Sequence, residues 1–296
     1  MKMVSLIVTY NRCKKLQTTL EATLALAFDA VVVVNNQSDD GTAEFLNAQH
    51  DPRLYIINAD SNQGGAAGFA LGAEFIAQNL QTDWVVFYDD DAFPDNDFID
   101  RFSEICCPEY SVYCAKVVNR QNQICKMNIP WRTHQATITH TLRYLFNPQF
   151  FLPDENQSSE VSTFSFVGCV VSFRLLKETY QLIDKDIFIY FDDVFYSFKL
   201  HSQGYKILYH PGLLVYHDID TSSGRKIPPW KIYYLIRNMI LSRYILKDNV
   251  IFSRTAISLR VFKYFILSLK ENERKRSLCY IFKAVRDGVL NRRVII

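Results

Sequence analysis

The chain has 296 residues, 49% of them hydrophobic and 22% charged, with only ten glycines and nine prolines. Such a composition supports a packed core and excludes disordered, collagen-like and low-complexity chains. The formal charge of +2 conceals an uneven distribution: residues 224–296 carry 17 Lys/Arg against 4 Asp/Glu, a net of +13, and the remainder stands at −11.

The first 90 residues repeat one pattern, a short β-branched run, a polar loop and then a helical stretch. The runs are Val4–Thr9, Val31–Val34, Leu54–Ile57 and Trp84–Tyr88, and helices are predicted near 13–26, 42–49 and 66–79. Ala66, Ala67, Ala70, Leu71, Ala73 and Ala77 give the last helix high intrinsic propensity. Strands alternating with helices imply parallel pairing, and strands covered on both faces read as continuous apolar runs. The fold class expected is therefore α/β, with ligands beyond the carboxyl ends of the strands.

From residue 95 the pattern loosens. A helix near 96–105 precedes strand-like Val112–Val118, and a mixed aromatic region extends to Phe166. Phe166–Phe173 reads as a strand feeding a helix from Leu175 to Leu182. The apolar run Phe188–Tyr190 ends at Asp192-Asp193, which opens a helix closed by Gly204. Two short runs follow, Ile207–Tyr209 and Leu213–Tyr216. After Pro228-Pro229 the texture becomes aromatic, aliphatic and basic helix, which places a boundary near residue 222.

No run of 18 uncharged apolar residues occurs, so no transmembrane helix is expected. Met1-Lys2-Met3 leads straight into the first apolar run, and no secretory signal is expected either. Seven cysteines without a C-x-x-C pair read as free thiols in a reducing cytosol.

Chemistry concentrates in the loops. Asp89-Asp90-Asp91 directly follows an apolar strand, where three adjacent carboxylates repel one another and lose hydration. A divalent cation of the magnesium or manganese type would relieve that; a solvated acidic turn is the plainer reading. The loop Asn35-Asn36-Gln37-Ser38-Asp39-Asp40-Gly41-Thr42 also reads as a strand-to-helix turn with good capping residues. In Asn62-Gln63-Gly64-Gly65-Ala66-Ala67-Gly68, glycines at a helix start let backbone N–H groups approach a phosphate. Asp192 and Asp193 are adjacent, so mutual repulsion would raise one pKa toward a range useful for a general base; capping the next helix is the alternative. His217 ends an apolar run and precedes Asp218, which makes it a candidate ligand.

Taken in order, Val4–Arg12, Asn35–Thr42, Asn62–Gly68 and Asp89–Asp91 resemble family 2 of the glycosyltransferases. Ile189–Asp193, Val215-Tyr216-His217 and Tyr233–Asn238 look like its bacterial galactofuranosyltransferase and rhamnosyltransferase members. The resemblance implies a GT-A fold, a nucleotide-binding, mostly parallel sheet flanked by helices. It implies Asp89, Asp91 and His217 as ligands of Mn2+ or Mg2+, and Asp193 as the base that deprotonates the acceptor. It assigns nucleotide contact to Arg12, Asn62 and Asn36; Thr9, Gly64, Gly65 and Asp90 are expected at the donor site beside them. The boundary near 222 divides the chain into a catalytic domain, 1–222, and a basic helical region, 223–296. Within the former, 1–95 would take the nucleotide-sugar and 96–222 the acceptor. The implied reaction is inverting transfer of a UDP-galactofuranose, UDP-hexose or dTDP-rhamnose type donor to a cell-surface or lipid-linked glycan.

Three departures stand out. Asn36-Gln37-Ser38 replaces the family's common Asp-Gly-Ser, and no processive Q-x-x-R-W motif occurs. Cys169-Val170 follow Gly168 where the galactofuranosyl members place tryptophans, leaving Trp131, Tyr144 and Phe150 as alternative stacking surfaces.

The basic region has three readings: amphipathic helices on an anionic membrane, a helical cap on the body, or a nucleic-acid surface. Its aliphatic clusters disfavour nucleic acid, and a lipid-linked acceptor would make attachment to the inner, cytoplasmic face of the membrane useful. Two rival functions remain at this level. A nucleotidyltransferase would need a glycine-rich loop after the first strand, where Asn11-Arg12-Cys13-Lys14 has none; a catalytically inactive scaffold would not hydrolyse a donor.

Overall fold

The computed structural model describes residues 1–219, 227–247 and 249–296. Strands β1 (Met3–Thr9), β2 (Ala30–Asn35), β3 (Leu54–Asn58) and β4 (Trp84–Asp89) alternate with helices α1 (Cys13–Leu24), α2 (Thr42–Asn47) and α3 (Gly64–Asn79). Strand β5 (Ala92–Pro94) and helix α4 (Phe98–Ile105) lead to β6 (Val112–Val118), α5 (Ile138–Phe146), β7 (Ser159–Val161) and β8 (Cys169–Ser172). Then come α6 (Phe173–Thr179), α7 (Asp192–Ser202), β9 (Ile207–His217) and three helices, α8 (Pro229–Ile245), α9 (Arg254–Leu269) and α10 (Arg274–Val289).

The strands form one sheet in the order β3-β2-β1-β4-β8-β6-β9-β5, with β7 beside β9. The β3-β2-β1-β4 half is parallel throughout, as is the β6–β9 pair; β8 runs antiparallel between β4 and β6. Every residue of β1 and β2 is buried, which is why their sequences are continuous apolar runs rather than alternating ones. Val4, Leu6 and Val8 meet Phe69, Ala73 and Ile76 of α3 on one face. Ile7, Val31 and Val33 meet Leu16 and Leu20 of α1 and Phe98 and Phe102 of α4 on the other. This α/β core is the expected fold class.

Several boundaries differ from the sequence expectation. Helix α3 begins at Gly64 rather than Ala66, because Gly64 takes φ +85° and its N–H donates to Asn62 Oδ1 at 2.9 Å. The runs Ile207–Tyr209 and Leu213–Tyr216 are one strand, β9. Its partner register slips between Ala115 and Lys116, a bulge that absorbs Pro211-Gly212-Leu213, where proline offers no donor. The expected strand Phe166–Phe173 shrinks to Cys169–Ser172, bounded by Gly168 at φ +85° and by the Ser172 cap of α6. Phe188–Tyr190 is not a strand: Phe188, Tyr190 and Phe191 all have positive φ. Helix α5 and strands β5 and β7, all in or beside irregular sequence, were not foreseen.

The basic region divides. Helix α8 is buried along Ile232, Tyr233, Tyr234, Ile236, Arg237, Asn238, Met239 and Leu241, packing on α10 and on residues 188–190. Helix α9 instead exposes Leu259, Phe262, Ile266 and Leu269. Among the described residues no helix is long and apolar enough to cross a membrane. The expected boundary at 222 lies outside the described residues.

Candidate active site

Parallel pairing aligns the carboxyl ends of the first half of the sheet. Thr9 pairs with Asn35, Asn35 with Asn58, and Val8 with Asp89, so the loops after β1, β2, β3 and β4 open on one side. Asp89 ends β4, and β5 turns back so that Ala92 pairs with His217 of β9. That antiparallel register carries His217 to Asp91 across 126 positions of sequence, with Nε2 3.1 Å from Asp91 Oδ1. The Asp218 N–H also donates to the Asp91 carbonyl at 2.7 Å. Lys15 and Arg120 both pair with Asp218, securing the end of β9.

Asp89, Asp91 and His217 each present a ligand atom, all within 4.8 Å of one another. Two carboxylates and an imidazole suit a divalent cation such as manganese. The electrostatics agree with that fit. Burial, and then repulsion from Asp91, pushes Asp89 up to about 7; burial pushes Asp90 up to about 6 despite the Arg12 guanidinium. Asp91 is buried as well, yet His217 and Arg12 hold its carboxyl below the usual range. Arg12 Nη1 lies 2.6 Å from Asp91 and 3.3 Å from Asp90, and Lys15 acts on Asp91 from farther away. Three carboxylates thus share too little positive charge to ionise freely, a deficit that a cation would correct.

A second layer orients the imidazole. Asn128 Nδ2 donates to Ser165 Oγ at 2.9 Å, which turns its Oδ1 toward His217 Nδ1 at 3.0 Å. Asn128 Oδ1 thereby takes up Nδ1, which leaves Nε2 facing the carboxylates. Asn128 and Ser165 escaped the sequence reading, since a buried Asn in a short turn carries no local signal of its partner.

The remaining candidates fall into two groups. Thr9, Asp90 and Arg12 form a unit beneath the first loop: Thr9 Oγ1 donates to Asp90 Oδ2 at 2.8 Å, the Tyr10 N–H at 3.3 Å. Asn36, Asn62, Gly64 and Gly65 form the second. Asn36 Nδ2 donates to the Gly64 carbonyl at 3.1 Å, and Asn62 caps Gly64, so both side chains shape the turn that opens α3. A Cβ on Gly64 would collide with the Phe188 carbonyl, whereas Gly65 faces open space where a ligand can approach the backbone.

Asp192 and Asp193 are the first residues of α7. Asp193 Oδ1 accepts from the Val194 N–H at 2.7 Å and Oδ2 from the Phe166 N–H at 3.4 Å. Burial raises Asp193 to about 6, the Ser165 hydroxyl and backbone N–H groups notwithstanding. Asp192 is pushed well above the carboxylate range by burial, by Asp193 and by Asp89. The acidic pair therefore lies within electrostatic reach of the Asp89 cluster, and Ser165 stands between Asn128 and Asp193. Of the alternative stacking surfaces, Trp131 packs edge-on to Phe252 at 5.7 Å and Phe150 lies under Arg143. Cys169 and Val170 are core residues of β8.

Comparison with known proteins comes to the same place. The family model described as glycosyltransferase like family 2 matches residues 3–233. No curated protein sequence matches the chain. Among solved structures, TarS 1–349 of S. aureus aligns with a TM-score of 0.55 at 16% identity, over 98% of this chain and 81% of that one. The mannosyltransferase PcManGT from Pyrobaculum calidifontis, solved with GDP-Man and Mn2+, gives 0.55 at 14% identity, over 98% and 75%. GalNAc-T7, solved with UDP, GalNAc and Mn2+, gives 0.55 at 10% identity, over 99% of this chain and 58% of that one. At such identities the likeness concerns the fold.

Proposed function

The chain belongs to the glycosyltransferase-like family 2 and carries its GT-A fold, and from that premise we propose that it is an inverting, metal-dependent hexosyl- or hexofuranosyltransferase. Its donor is a nucleoside diphosphate sugar, and its acceptor a hydroxyl of a surface or lipid-linked glycan. The observation that carries this reading is the convergence of Asp89, Asp91 and His217 with a second, separate acidic pair at Asp192–Asp193.

Each group has a task that its surroundings favour. Asp89, Asp91 and His217 would hold Mn2+ or Mg2+, and the imidazole favours manganese. Such a cation supplies charge neutralisation to the departing diphosphate. Arg12, about half exposed beside the same carboxylates, offers a guanidinium to that diphosphate. Gly64 and Gly65 open α3, whose N-terminal backbone favours an anion. Burial and mutual repulsion raise Asp192, while Asp193, at about 6, ionises near neutrality, so Asp193 takes the proton from the acceptor hydroxyl. One base and one leaving group suit a single displacement, hence inversion.

The outward face of α9 supports peripheral contact with an anionic membrane at its cytoplasmic side. Leu259, Phe262 and Ile266 recur there at helical spacing, with Lys263 and Lys270 exposed alongside. A lipid-linked acceptor would be met at that surface.

Thermal shift with UDP-, dTDP- and GDP-sugars in the presence of Mn2+ tests the donor reading. One sugar nucleotide should stabilise the protein beyond its free nucleotide, and EDTA should remove the effect. Equal stabilisation by every nucleotide, with or without metal, would count against it.

A further inference from the structure

We propose that Asn238, held by Arg237, is the positioning residue for the Asp192–Asp193 pair, an inference that rests on Asp193 being the acceptor base. The segment before α7 is an uncommon piece of backbone. Phe188, Tyr190 and Phe191 sit at φ 71°, 67° and 69°, a region that large L side chains rarely adopt. Phe191 is the residue that caps α7, and its carbonyl accepts from the Phe195 N–H at 2.7 Å. The path of 188–191 therefore decides where the Asp193 carboxylate lies.

That path is fixed from α8. Asn238 Nδ2 donates to the carbonyls of Ile187, Ile189 and Tyr190 at 3.0, 2.7 and 3.0 Å. Arg237 Nη2 donates to the Ile187 carbonyl at 2.8 Å, and its Nε to Asn238 Oδ1 at 2.9 Å, which locks the amide with its NH2 toward the segment. Arg237 Nη1 donates to the Val294 carbonyl. Phe188 stacks on Tyr234 at 4.7 Å, and its carbonyl accepts from the Ala66 N–H of α3 at 3.1 Å. Arg237 and Asn238 are both fully buried, and no carboxylate pairs with Arg237 among the described residues. The guanidinium rests instead on carbonyls and on the faces of Tyr233 and Tyr234, 5.2 and 4.8 Å away. A helix that merely covered the body would bury an apolar residue here at lower desolvation cost. Arg237 and Asn238 instead donate to the carbonyls that lead into α7.

The test compares Asn238→Ala with Asp193→Asn in the full chain, reading acceptor kcat and KM, donor affinity and amide exchange over residues 188–195. Asn238→Ala should lower kcat by about 10²-fold, the order expected of a misplaced catalytic group. KM for the acceptor and affinity for the donor should stay near the native values, and exchange across 191–195 should quicken. Asn238→Ser, which keeps one donor, should lose less and serves if the alanine variant does not fold. Native kcat in Asn238→Ala, with Asp193→Asn inactive, would overturn the positioning role and leave the base intact. Full activity of Asp193→Asn would remove the base instead. Unchanged exchange over 191–195 in Asn238→Ala would overturn the clamp whatever the activities.

Discussion

The β5–β9 register brings His217 to Asp91, Asn128 and Ser165 orient its ring, and those two residues give the first residue-scale prediction. Asn128→Ala frees Nδ1 and should weaken Mn2+ binding roughly 10–100-fold, the usual consequence of losing a partner of a metal-ligating histidine. Titration of the chain with Mn2+, followed by calorimetry, measures it; native affinity would remove Asn128 from the site. Asp193 gives the second. Its burial raises the pKa to about 6, so the protonated, inactive form gains as pH falls below that value. The transfer rate should rise with pH through about 6 and then level. A profile that falls as pH rises across the same interval would assign Asp193 as an acid.

At the scale of elements, the glycines opening α3 separate support from contact. Gly64→Ala places a Cβ against the Phe188 carbonyl at φ +85° and should cost about 1–3 kcal/mol in chemical denaturation, besides displacing the segment before α7. Gly65→Ala meets nothing within 4 Å, so its stability should change by about 0.5 kcal/mol or less while donor affinity falls. Equal losses of stability in both variants would contradict this division. The elements that place these glycines were legible in the sequence, because β1, β2 and β4 are apolar runs and α3 is alanine-rich. What was not legible is long-range. The pairing of Ala92 with His217 depends on a three-residue edge strand, and Phe188–Tyr190 looks like a strand by composition although hydrogen bonds from Asn238 hold it at positive φ. Local propensity carries no trace of a partner 50 residues away.

Across the whole molecule, the basic end meets the acidic body at helix α8. Helix α8 is buried against the segment that leads to Asp193, so the basic region enters the site through Arg237 and Asn238. Helix α9 keeps an apolar face outward, and so does α5 through Ile138, Leu142, Leu145 and Phe146. Phe262→Glu should therefore reduce sedimentation with anionic vesicles by roughly tenfold or more, since burying a phenylalanine contributes about 1.5–3 kcal/mol. Transfer to a soluble acceptor should be unaffected, and undiminished vesicle binding would place attachment elsewhere. The central claim is that the carboxylates after β4 hold the cation on which sugar transfer depends. Assay of Asp91→Ala beside the native chain, each with Mn2+ and with chelator, tests it most directly: transfer should occur only in the native chain with metal, and full transfer by Asp91→Ala in chelator would contradict the account.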